Sequence, residues 1–182
     1  MDDPTEEIHK TLHEVAEKSH DPALLRIALS SAIIAVLAAV ATLMSEHQIN
    51  EAMLAQLRAS DQWSYYQAKG IKRNIVDGQI QILRELTERT DFMSTLQAQS
   101  KKYGDEQEGI SKEATKAQGD SEKAFRAHDT FSYAVTLLQI AIGVSAVSAL
   151  TRRRWLWITS MAVASFGLVF LGWGIAMTFF LV

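Results

Sequence analysis

The sequence predicts an all-α membrane protein with three transmembrane helices and a long helical hairpin between the first and second. Three observations carry this. Ala23–Met44, Phe131–Leu150 and Trp155–Val182 are apolar, and Arg26 is the one charged side chain among them. About 20 such residues cross a bilayer core of ~30 Å. The intervening Ser45–Thr130 is polar, contains no proline, and holds five glycines among good helix formers. Backbone in hydrocarbon must satisfy its own hydrogen bonds, so each apolar stretch is expected to be a helix.

Composition narrows the function classes. The chain has 182 residues, a formal net charge of −3 and no cysteine. Disulfides, iron–sulfur ligation and thiol catalysis are therefore excluded. The near-balanced charge gives no reason to expect nucleic acid as a partner. No Walker loop, GxGxxG, GxSxG, HExxH or CxxC occurs. The expectation is a non-enzyme that needs no cofactor.

Residues 1–20 read as an amphipathic segment. Asp3-Pro4-Thr5-Glu6 is a helix start, and Ile8, Leu12 and Val15 share one face. Such a helix rests on a membrane surface or a partner; a frayed leader is the plain alternative. His9 and His13 have metal-pair spacing but no third ligand nearby. The first apolar run starts after an acidic leader and exceeds a 7–15-residue signal core, so it is expected to stay as an anchor.

Asp21 and Pro22 cap and open the first span, residues 23–44. Its small residues Ser31, Ala35, Ala38, Ala39 and Thr42 permit close approach of another helix. The segment 45–130 is expected to leave as a continuation of that helix. In its first half Ile71, Ile75, Ile82 and Leu86 mark an apolar stripe. In its second half a row spaced by three and four runs from Phe92 through Leu96, Gln99, Tyr103, Ile110 and Ala114 to Phe131, the spacing of a coiled-coil seam. Thr87–Asp91 is the turn-like cluster at the midpoint, which gives arms of about 40 residues and roughly 60 Å. A reversal at Tyr103–Gly109 is the alternative. The second span, 131–150, and the third, 155–182, are joined by Thr151–Arg154 and must be antiparallel.

Arg152, Arg153 and Arg154 are the orientation signal, because short Lys/Arg-rich loops stay cytoplasmic. Lys10, Lys18 and Arg26 agree. The expected location is a bacterial inner membrane, multi-pass, with the amino terminus cytoplasmic and the hairpin periplasmic. The hairpin's own twelve Lys and Arg do not oppose this, since long segments cross largely regardless of charge.

Two constellations are candidates for a site. His47 and His128 flank the hairpin beside Glu46 and Asp129, and two imidazoles with two carboxylates could bind a divalent transition metal. Ordinary interfacial polarity is the plain alternative. Trp63, Tyr65 and Tyr66 form an aromatic cluster of the kind that anchors protein contacts, or that packs on the return arm. Within the spans no Asp, Glu, Lys or His lies at mid-membrane, which argues against active transport. Gln139 is the strongest polar group there and is expected to bond a neighbouring helix.

Asp61-Gln62-Trp63-Ser64-Tyr65-Tyr66-Gln67-Ala68-Lys69, following an apolar span and Asn50-Glu51-Ala52, resembles a bacterial family of small integral membrane proteins of unknown function. The resemblance covers nearly the whole chain. It implies the location and layout above and transfers no activity.

Three functions remain in view. The first is a homo-oligomeric structural or interaction scaffold built on an extramembrane helical bundle, whose partners are itself, the lipid bilayer and another membrane protein complex. The second is an oligomeric channel whose narrow pore is lined by small residues of the first span. The third is a metal-binding membrane protein.

Overall fold

The computed structural model describes Lys10, residues 22–86 and residues 90–180. The amphipathic segment 1–20, apart from an exposed and helical Lys10, lies outside the described residues, as do His9, His13 and the Asp21 cap. Three helices make up the described chain: α1, Pro22–Leu86; α2, Thr90–Thr151; and α3, Arg154–Phe180. Each contains a stretch long and apolar enough to cross a membrane.

Helix α1 runs 65 residues without a break, from the first apolar stretch into the polar one. No proline follows Pro22 in it, and its glycines at 70 and 78 are not enough to stop it. Helix α2 is also unbroken through Tyr103–Gly109, the alternative point of reversal.

The chain divides into two compact units, Met1–Asn50 with Ala124–Val182, and Glu51–Lys123. The first is the apolar unit. Its core is Ile34, Ala38 and Ala41 from α1, Phe131, Ala134, Leu138, Ala141 and Ile142 from α2, and Ala164 and Leu171 from α3. Small residues make this packing possible. A Cβ on Gly174 would lie 2.8 Å from Phe131 Cε1, and one on Gly167 would lie 3.0 Å from Leu138 Cγ. The third span therefore has its own small-residue face, Ser160, Ala164, Gly167 and Gly174, spaced by four, three and seven with Leu171 between the two glycines. Helices in lipid gain nothing from burying Leu against Leu, so close backbone approach and hydrogen bonds hold them together. Those bonds are present. The Ser31 and Ser145 hydroxyls meet at 2.5 Å. Ser160 donates to Ala141 O at 2.7 Å, and the Trp157 indole donates to Ser30 Oγ at 3.1 Å.

In the polar unit, Val76 and Ile80 of α1 pack on Leu96 of α2, with Leu83, Met93 and Tyr103 beside them. The apolar stripe of the first arm is not the face that packs on α2. Ile71, Ile75 and Ile82 are 61%, 57% and 59% exposed. The inner face is one residue out of phase with them. On α2, Leu96, Ile110 and Ala114 of the expected row are buried, as is Ser121, while Ser100 replaces Gln99 and Phe92 faces out.

Candidate functional site

The polar unit holds the most developed set of side-chain contacts. Ser121 donates to Ala52 O at 2.9 Å. Gln107 donates to Tyr66 O at 3.2 Å. Lys69 pairs with Glu106 at 2.5 Å, and Ser100 donates to Asp77 Oδ1 at 2.5 Å. As the position rises on α1 it falls on α2, so these two segments lie antiparallel. Glycine admits the closest points. A Cβ on Gly70 would lie 2.8 Å from Gln107 Nε2, and one on Gly104 would lie 3.2 Å from an Arg73 guanidinium nitrogen.

Lys69 is the centre of this set. Its ammonium lies 5.2 Å from the Tyr65 ring centroid and 5.3 Å from that of Tyr103. Aromatic faces attract a cation at such distances. The bond to Glu106, then that to Tyr65, holds the Lys69 pKa above its ordinary 10.5. The Lys69 bond holds Glu106 below its ordinary 4.5. Glu106 falls on the three-and-four row of the second arm and Lys69 ends the aromatic stretch, but their pairing was not legible in the sequence, because a partner across two helices is known only once the inner face of each is known.

Of the aromatic cluster, Trp63 and Tyr66 are half-buried, edge to face at 5.5 Å, and Tyr65 is exposed. Outward on the same helix runs a second apolar row. Leu54 and Leu57 are 54% and 62% exposed, and Ala68, Ile71, Ile75 and Ile82 continue it. With Asp61, Ser64 and Gly78 between them, every position of this row is three or four from the next. Carrying the phase of Ala38 and Ala41 along α1 through Ser45, Gln48, Ala52 and Ala59 reaches Val76 and Ile80. That phase is the signal that separates inner from outer rows.

The histidines are placed differently from one another. His128 Nδ1 lies 3.0 Å from Ser45 O and 2.9 Å from Ser45 Oγ. Ser45 Oγ reaches Ser132 Oγ at 3.1 Å, and Ser132 Oγ lies 3.4 Å from His128 Nε2. With hydrogen on Nδ1, imidazole, carbonyl and both hydroxyls satisfy one another, joining α1 to α2. His47, Glu46 and Asp129 are exposed. Among the described residues no three His, Asp or Glu side chains converge as a metal site.

In the apolar unit the outward face of α1 is Leu25, Leu29, Ile33, Val36 and Leu43, while Ser31 and Ala38 are buried. Gln139 is exposed on α2 and has no hydrogen-bond partner among the described residues.

Arg152, Arg153 and Arg154 make the turn between α2 and α3. Arg152 takes φ 55°, the left-handed conformation that commonly ends a helix. Ser148 Oγ donates to Arg153 O at 3.1 Å, and Leu156 N donates to the same carbonyl at 3.2 Å. All three arginines are exposed, as is Trp155 beside them.

No curated protein and no solved structure matches the chain. A family model does, over residues 23–177, which covers most of each of the three helices. The chain belongs to the DUF4337 family, a domain of unknown function.

Proposed function

We propose that this protein is a bacterial inner-membrane scaffold that assembles with itself through a helical hairpin standing outside the bilayer. The observation that carries the reading is the outward row Leu54, Leu57, Ala68, Ile71, Ile75 and Ile82. It has coiled-coil spacing and lies in the stretch rich in Lys, Arg, Asp and Glu. Water penalises such a row, and a second helix with the same spacing covers it. The three arginines at the α2–α3 turn support a cytoplasmic turn and a periplasmic hairpin.

Magnitudes set the character of the assembly. Five large side chains per copy, each about half open, gain roughly 7–15 kcal/mol across a two-copy seam. Association costs about 4–15 kcal/mol. The seam therefore gives reversible association, assisted by confinement to a membrane, which raises effective concentration. Asp61 and Ser64 within the row weaken it further and select partners that tolerate them.

The natural absence of cysteine makes the test simple. Ile75→Cys in native membranes is expected to give disulfide-linked dimers under mild oxidation. Val76→Cys, on the buried inner face, is expected to give none. Equal behaviour of the two variants would remove the reading.

A further inference from the structure

We infer that the outward face of α2 around Gln139 is a second self-association surface, inside the membrane, where Gln139 side chains from two copies hydrogen-bond each other. The inference rests on the self-association proposed above and adds the contact within the bilayer.

Gln139 sits near the middle of the apolar part of α2. At 1.5 Å per residue it is roughly 15 Å along the helix from Asp129 and 20 Å from Arg152. A glutamine side chain is too short to reach water at either end. It is exposed on the surface of the apolar unit and bonds no described residue. The other polar groups of the spans behave differently. Ser31, Ser145 and Ser160 are buried and paired across helices. Thr136, beside Gln139 on the same face, satisfies its hydroxyl on Ser132 O at 2.9 Å. An amide cannot fold back on its own helix so cheaply, and hydrocarbon offers it neither donor nor acceptor.

A second copy meets that need. A carboxamide carries both donors and an acceptor, so two of them related by a twofold axis pair reciprocally. The surface around Gln139 also admits a close neighbour. Gly143, one turn on, would place a Cβ in open space with nothing within 4 Å.

The test uses the full chain in vesicles of phosphatidylethanolamine and phosphatidylglycerol. Association is followed by energy transfer between labelled copies as the protein-to-lipid ratio is varied. Gln139→Leu is expected to weaken association by about three- to thirtyfold, and Gln139→Asn to retain most of it. Gln139→Cys is expected to form disulfide-linked dimers, while Leu138→Cys, which faces the core, is expected not to. The cysteine pair keeps the test valid should the leucine variant fold poorly. Wild-type association unchanged by Gln139→Leu, with no crosslink at 139, would overturn this inference and leave the hairpin seam standing. A wild-type chain that is monomeric at every ratio would overturn both. A different protein that co-purifies with wild type but not with Gln139→Leu, from a chain that is itself monomeric, identifies another occupant and likewise sinks the proposal.

Discussion

Lys69 and Glu106 join α1 to α2 through an ion pair in which the ammonium also faces the rings of Tyr65 and Tyr103. The pair fixes the register of two helices whose apolar contacts are few. A one-turn shift that set Lys69 against Ile110 would break this pair, so the pair specifies one alignment more than it adds stability.

The pair has a defined pH window. Glu106 is depressed below 4.5, so its contribution is full above that value and is lost as pH falls through the lower folded value. Lys69 is raised above 10.5, so its contribution is full below 10.5 and is lost as pH rises through the higher folded value. Thermal melting of the purified protein followed by circular dichroism should be flat in this component between about pH 4.5 and 10.5. Glu106→Gln should remove the share of the acid-side loss that comes from Glu106, leaving that of Glu108, which its bond to Lys112 also holds below 4.5. Retention of the whole loss in the variant would assign it to other carboxylates.

Glycines in α3 separate packing from propensity. Gly174→Leu places side chain where Phe131 stands and should destabilise the apolar unit by about 1–3 kcal/mol, the usual cost of overpacking. Gly172→Leu faces open space and should be tolerated. Unfolding in mixed micelles, with the two variants compared directly, checks this. Equal effects would mean that α3 does not meet α2 along this face.

The Ser31–Ser145 contact is a buried hydrogen bond between α1 and α2. Either serine changed to alanine leaves a hydroxyl unpaired in an apolar core. Coupling between the two in a double-mutant cycle should be about 0.6 kcal/mol and at most near 1.7 kcal/mol. Additive single effects would show that the hydroxyls act independently.

Orientation is tested at the α2–α3 turn. Changing Arg152, Arg153 and Arg154 together to glutamine should produce a mixed population in which some hairpins lie on the opposite side. A cysteine at Gln81, exposed on α1, reports the side through a membrane-impermeant thiol reagent. An unaltered labelling pattern would place the orientation signal elsewhere. Arg152→Gly alone should be neutral or stabilising, because glycine adopts φ 55° without the cost of a Cβ, about 1 kcal/mol.

Helix content and the three apolar stretches were legible in the residues, since both follow from local composition. Length and hydropathy need no partner to be read, and the absence of proline after Pro22 and through α2 allowed α1 and α2 to run on unbroken. The inner face of α1 was not. Apolar side chains lie on two of its faces, and periodicity reports only that a face is apolar. Ile71, Ile75 and Ile82 have the longer apolar surface, yet Val76 and Ile80 meet Leu96.

Sequence alone thus decided that this chain is helical and suited to hydrocarbon, because those properties are sums over neighbouring residues. Tertiary structure alone decided which polar groups are satisfied. Whether a serine, a lysine or a glutamine finds a partner depends on what a distant segment brings within about 3 Å. Lys69 finds Glu106 and His128 finds Ser45, while Gln139 is left facing outward, where lipid has nothing to give it.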